Sequence, residues 1–133
     1  MSVLLDTHVW VWWLTPGSPL PIAERDALDR QAAKAGVCLS AISLWEAQVL
    51  HAKRRLELPV PFGVWLREAA NETVLKILPL DLEVVLALDA LPASFHGDPA
   101  DRLIVATARA HGLPLATHDA VIRRSRAAPV WKP

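Results

Sequence analysis

The chain has 133 residues, 53% of them apolar, enough for one domain with a buried core. Its 14 acidic and 14 basic residues cancel, which argues against a simple electrostatic nucleic-acid binder, since such a protein carries a clear basic excess. The longest uncharged run, Thr7 to Ala23, is broken by Pro16, Gly17, Pro19 and Pro21 and falls short of the ~20 apolar residues a spanning helix needs.

Met1 to Asp6 has no basic stretch and reaches a charge at once, so no secretory leader is expected. The single cysteine, Cys38, excludes an internal disulfide and suits a reducing compartment. Within Val37-Cys38-Leu39 its thiol is expected to be inert. The cytoplasm is the expected location.

Val3-Leu4-Leu5 reads as a buried parallel strand that ends on Asp6. Thr7 to Leu14 then looks helical, with Trp10, Trp13 and Leu14 on one face and Trp12 pointing elsewhere, as if toward a partner. After the proline-rich loop, Pro21 opens a helix that Gly36 stops. Val37 to Leu39 is a second strand. A helix through Arg55 follows, with Ile42, Trp45, Val49 and Ala52 at core spacing and Glu46 near its first turns. Pro59 and Pro61 break it, and Phe62 to Glu72 is the next helix. Val74 to Leu78 is a third strand. Asp81 to Leu91 is helical, with Leu82, Val85, Leu86 and Leu88 expected inside.

Asp98 and Pro99 then form a strong helix start, an N-cap followed by the residue that fits the first helical position. Asp101 falls at the third position, and the helix runs to His111 and Gly112. Leu113 to Thr117 is a fourth strand, followed by His118 and Asp119. Val121 to Arg126 is a short basic helix, and Val130-Trp131 a possible fifth, edge strand. Strands alternating with helices predict a three-layer α/β/α fold whose sheet is mostly parallel, with four to five strands in a single domain over 1–133.

In such sheets, sites form beyond the carboxyl ends of the strands. Asp6 and Asp119 follow the first and fourth strands, Glu46 lies just after the second, and Asp98 and Asp101 open the helix that leads into the fourth. Each acid has a plainer reading. Asp6, Asp98 and Asp119 are good N-caps, and Ser43-x-x-Glu46 is a capping box. Four separate segments delivering carboxylates to one edge favours convergence instead. Two carboxylates about 4 Å apart repel by roughly 4 kcal/mol at an effective dielectric near 20. A hard divalent cation, Mg²⁺ or Mn²⁺, relieves that repulsion, whereas His and Cys form no zinc pattern here. If the five acids share a pocket, nine acids face 14 bases elsewhere, so the rest of the surface is basic. His8, His96 and His118 stand next to motif acids and are expected to be partly exposed loop or helix-start residues, with a metal or acid–base role the lesser expectation.

With these residues in view, the chain resembles the PIN-domain nucleases, and among them the VapC-like toxins of toxin–antitoxin pairs. The resemblance runs through Leu4-Leu5-Asp6-Thr7-His8-Val9-Trp10, Ser40-Ala41-Ile42-Ser43-Leu44-Trp45-Glu46, the Asp98-to-Ala108 segment and Thr117-His118-Asp119, in that order. It implies a PIN fold and metal-dependent hydrolysis of RNA. Asp6, Glu46, Asp101 and Asp119 match the family's acidic quartet, and Asp98 matches the extra acid of an Asp-Pro-x-Asp-Arg subgroup. Asp6, Asp98, Asp101 and Asp119 are the expected metal ligands, with Glu46 acting directly or through water. Thr7 and Thr117 match supporting hydroxyl positions. Ala100 stands where some members carry Phe, and His118 matches no fixed feature.

RNA phosphates need positive partners, and Arg102, Arg123, Arg124 and Arg126 are candidates, with Lys53-Arg54-Arg55 as a further cluster. Such clusters at helix ends are also ordinary solvated charge that suits the helix dipole. The resemblance further implies a homodimer and a small antitoxin, with Trp12, Trp65 and the early helices as contact surfaces. Two other readings stay open: a non-catalytic PIN-like module that binds RNA or protein, and a metal-dependent phosphohydrolase with an aspartyl nucleophile. Asp6-Thr7-His8 lacks the second Asp that haloacid-dehalogenase-like enzymes place two residues on.

Overall fold

The computed structural model describes residues 1–95 and 97–133; His96, one of the three histidines flagged above, lies outside the described residues. In chain order the elements are β1 (Val3–Leu5), α1 (Thr7–Trp13), α2 (Ile22–Lys34), β2 (Val37–Ser40), α3 (Ala41–Ala52), α4 (Phe62–Ala69), β3 (Lys76–Leu78), α5 (Leu82–Asp89), α6 (Pro99–His111), β4 (Leu115–Ala116) and α7 (Ala120–Ser125). The four strands pair in parallel in the order β3-β2-β1-β4. From β1 the chain builds outward through β2 and β3, and β4 then pairs on the other side of β1. Strand order therefore reverses at β1, where such sheets open a crevice.

Both faces of the sheet are covered, as its uninterrupted apolar strands require. Val3 and Leu5 turn to one face and pack with Leu39, Trp10, Leu28 and Trp65. Leu4 turns to the other, with Cys38, Ile104, Val105 and Leu115. The three-layer α/β/α expectation holds, with four strands. Val130 joins only by a single bridge to Leu115, because Leu115 N donates to Pro129 O at 2.8 Å and Trp131 N donates to Leu115 O at 2.8 Å before the chain leaves the edge.

The start of α6 is built as the sequence predicts. Asp98 Oδ1 accepts from Asp101 N at 2.8 Å, and Gly112 closes the helix in the left-handed conformation. Gly97 clears the way to it. A Cβ there would stand 2.7 Å from the ring of the buried Phe95.

Four expectations are corrected. α4 ends at Ala69 rather than Glu72, because Asn71 Oδ1 accepts from Thr73 N and Oγ1 and turns the chain out of the helix. In α5 the buried residue is Val84, while Leu82, Val85 and Leu86 are exposed. Asp81 accepts from Val84 N, which sets where the helix begins and so which flank turns inward. In α3 the buried residues are Ser43 and Ala47, and Trp45 is 56% exposed. Small side chains at these positions let α3 lie close to its neighbours, which rotates the larger apolar residues outward. Trp65, expected as a contact surface, is instead buried against Trp10 with ring centroids 5.4 Å apart.

Candidate active site

β1 delivers Asp6 to the crevice, and the residue is 2% exposed. Asp6 Oδ1 accepts from Thr7 N at 2.8 Å, and Oδ2 accepts from Thr117 Oγ1 at 2.6 Å. Its backbone N donates to Ala116 O at 2.9 Å, which locks the end of β1 to β4. Thr117 Oγ1 also accepts from Asp119 N at 3.0 Å, so a single hydroxyl fixes Asp6 and the turn that carries Asp119. Asp119 caps α7 by accepting from Ile122 N at 3.0 Å.

Glu46 is held by another hydroxyl. Thr7 Oγ1 donates to Glu46 Oε1 at 2.5 Å and stands 2.8 Å from Ser43 Oγ. Thr7 has one hydroxyl proton and gives it to the carboxylate, so Ser43 must donate to Thr7. The order Ser43 to Thr7 to Glu46 joins α3 to α1. It also replaces the capping box read from Ser43-x-x-Glu46, since α3 begins two residues earlier and its cap is Ser40, which accepts from Ile42 N. Ser43 is the site residue that sequence reasoning missed. Its only signal was its place three residues before Glu46.

The electrostatics follow from burial and crowding. Burial raises the carboxyl of Asp6 above its ordinary range, against the opposing pull of His8, Thr117 and Thr7, and Asp119 adds to the rise. Burial likewise raises Glu46, opposed by the Thr7 hydrogen bond and reinforced by Asp6 and Asp98. Asp101 moves furthest, to about 7, through burial and then through Asp98, Asp6, Asp119 and Glu46 in turn. Five carboxylates from four segments thus act on one another, and Asp6, Glu46 and Asp101 line a common cavity of about 200 Å³. A larger cavity of about 470 Å³ lies at the opposite, N-terminal edge of the sheet, by Gly36, Lys76 and Leu113, away from the acids.

The histidines are tied in differently. His8 Nε2 accepts from His118 N at 2.9 Å, so the proton of a neutral ring sits on Nδ1, 3.4 Å from Asp6 Oδ2. Burial lowers the pKa of His8, and Asp6 opposes that shift. His118 Nε2 lies 2.7 Å from Glu24 Oε2, which pins α2 to the loop before Asp119. Trp12 packs edge-on to His8 at 5.0 Å and beside His118 at 5.6 Å. Both rings are 30% exposed, as loop and helix-start residues should be.

Of the basic candidates, Arg102 is engaged, with Nη1 donating to Phe95 O at 3.1 Å. Arg123 and Arg124 are exposed about one helical turn beyond Asp119. Arg126 caps that helix in the left-handed conformation. Lys53 and Arg55 line a second cavity that also touches Glu46 and Asp98.

The donor set fits a divalent cation in one specific manner. It offers carboxylate oxygens without soft ligands, and the mutual repulsion that lifts Asp101 to about 7 is relieved by positive charge. Among the described residues no three His, Cys, Asp or Glu side chains are gathered closely enough to enclose an ion by themselves. The arrangement therefore suits a hard ion that keeps several waters and takes only one or two carboxylates directly.

A fold of this topology with acids at its switch point defines the class. A model of the PIN domain matches residues 3–127, and the chain belongs to the PIN-domain family. It is 38% identical over 125 residues to ribonuclease VapC22 of Mycobacterium tuberculosis, an alignment covering 94% of this chain and 92% of that protein. FitAcB from Neisseria gonorrhoeae superposes with a TM-score of 0.70 at 26% identity, covering 100% of this chain and 98% of its own. VapBC2 from Rickettsia felis, bound to a DNA fragment from its promoter, superposes with a TM-score of 0.75, covering 98% of both chains. At 17% identity that likeness speaks to fold alone.

Thr7→Val tests the hydroxyl relay. The substitution keeps the shape, removes the donor to Glu46 and leaves the buried Ser43 hydroxyl without its acceptor. Catalytic rate is expected to fall about 10- to 100-fold, as for other outer supports of an ion site, with about 1–3 kcal/mol lost in stability. Steady-state kinetics and urea unfolding check the two effects.

Proposed function

We propose that this chain is an endoribonuclease dependent on a divalent metal and that it acts as the toxin of a toxin–antitoxin pair. The observation that carries the reading is that Asp6, Glu46 and Asp101 line one crevice, with Asp101 pushed up to about 7 by burial and by the charges of Asp98, Asp6, Asp119 and Glu46. The likeness to a ribonuclease over nearly the whole chain supports RNA as the substrate. Mg²⁺ or Mn²⁺ is the ion proposed, with Asp6, Asp98, Asp101 and Asp119 as its ligands, one or two of them binding directly and the others through its waters, and with Glu46 acting directly or through water.

When bound, such an ion supplies Lewis-acid activation of water and neutralisation of phosphate charge. The chain's own residues do the positioning. Thr117 fixes Asp6 and Asp119 relative to each other, Thr7 fixes Glu46, and the Asp98 cap fixes the backbone of Asp101. Arg123, Arg124 and Arg126 on the α7 side, and Arg102 in the first turn of α6, offer positive charge to the RNA backbone.

A cognate antitoxin and a homodimer complete the proposal. Leu82, Val85 and Leu86 stand exposed on one flank of α5 and give a dimer an apolar surface. Among the described residues no helix is long and apolar enough to cross a membrane. The cytoplasm, where RNA and a reduced Cys38 coexist, is the compartment this reading requires.

Titrating Mg²⁺ or Mn²⁺ into chelator-stripped protein tests it, with RNA cleavage and melting temperature followed together. Both should rise over the same concentration range. At a hundred times its dissociation constant the ion adds about 2.7 kcal/mol of stability. Cleavage independent of the ion, or ion binding without cleavage of any RNA, would oppose the reading.

A further inference from the structure

The second cavity runs past the residues proposed to hold the ion. It holds about 290 Å³ between α3 and the start of α6, and it shares Glu46, Leu50 and Arg55 with the carboxylate pocket, so the two have a common wall. Trp45, Val49 and Lys53 succeed one another at four-residue steps along α3 and form one side of it. Trp45 is a large aromatic ring left 56% exposed at the mouth of a charged crevice. The chain reverses at Arg54, whose φ of 57° is a conformation glycine adopts without strain and arginine does not. That reversal lets Arg55 N donate to Leu50 O at 2.8 Å and sets the Arg55 side chain in the wall between the cavities.

We infer that this groove takes a nucleobase of the RNA adjoining the scissile phosphate, stacked on Trp45, with Lys53 and Arg55 facing its flanking phosphates. The inference rests on the ribonuclease reading. An RNA strand with one phosphate at the carboxylates must lay its neighbouring nucleotides on the walls of that pocket, and this wall combines an exposed ring with two cations. Every base has a π-face, so stacking supports affinity without demanding a sequence. Glu46, in the common wall with Arg55, and Asp98, at the α6 side, repel phosphates and leave Lys53 and Arg55 as their partners.

Fluorescence anisotropy of a labelled single-stranded RNA, with chelator present so that no cutting occurs, measures the affinity of intact wild-type and variant proteins. Trp45→Ala is expected to weaken binding about 5- to 100-fold, and Trp45→Phe, which keeps a ring, to restore most of it. Lys53→Ser should lower the slope of log affinity against log salt by about one. Trp45 is exposed, so the variants should melt with the wild type. Unchanged affinity in Trp45→Ala overturns the inference and leaves the groove to a protein partner. Equal loss in the Ala and Phe variants overturns stacking. Wild-type protein that binds RNA but cuts none when ions are restored overturns the ribonuclease reading alone.

Discussion

Asp101→Asn is expected to abolish RNA cleavage, by at least about 100-fold, while making the metal-free protein more stable. The two effects share one cause. Asp101 is charged at neutral pH only against burial and four neighbouring carboxylates, which raise it from 3.8 to about 7. At face value that shift corresponds to roughly 4 kcal/mol. The side chain is partly open to solvent, which screens it, so about 1–2 kcal/mol is expected. The sign is set by proton binding. Between about pH 4 and pH 7 the folded protein keeps a proton on Asp101 that the unfolded chain has lost, so folding stability falls as pH rises through that window. Below it both states are protonated and the penalty vanishes. Above it the penalty is complete. The Asn variant lacks this term, so its melting temperature should exceed that of the wild type at pH 7.5 and match it near pH 4. Saturating Mn²⁺ should narrow the gap at pH 7.5, because only the wild type retains the full charge that attracts the ion. Thermal melts at the two pH values, with and without the ion, check every part.

Trp10→Ala is expected to give the largest loss of stability. The ring is fully buried, tilts against Trp65 at 5.4 Å, and donates from Nε1 to Ala69 O at 2.9 Å. Truncation leaves a cavity at a cost of about 3–5 kcal/mol, and the carbonyl of Ala69 loses its buried donor. The consequence reaches the site, since Trp10 anchors the helix whose first residues are Thr7 and His8. A melting temperature lower by roughly 10–20 °C in a chain of this size, measured by circular dichroism, is the expected result. A change under about 1 kcal/mol would mean that the α1–α4 packing contributes little.

Much of the framework is legible in the sequence, and the reasons are local. Asp98, Pro99 and Gly112 start and stop α6 by chemistry that acts within one turn. Val3 to Leu5 and Val37 to Leu39 are continuous apolar runs because both faces of a parallel sheet are covered. The acids could be placed on one edge because each follows a strand or opens a helix. What the sequence hid depends on distant partners. Ser43 reads as a helix cap until Thr7, 36 residues away, is seen to take its hydrogen bond. Trp45 reads as core because its spacing is right, yet α3 packs through Ser43 and Ala47 instead. In α5, Leu82, Val84, Val85, Leu86 and Leu88 surround the helix, so apolar pattern alone cannot choose the inward flank. The tie from His118 to Glu24 spans 94 residues and has no signal in either segment.

RNA is expected to be cut at the carboxylate crevice. The most direct test is cleavage of a mixed RNA pool by purified protein with Mg²⁺ or Mn²⁺, against a chelator control and an Asp101→Asn variant shown by its melt to be folded. Cleavage present in the wild type and lost in both controls is the predicted result. Cleavage that persists in the folded variant or in chelator would place the activity elsewhere on the chain or outside it and rule out the carboxylate crevice as its site.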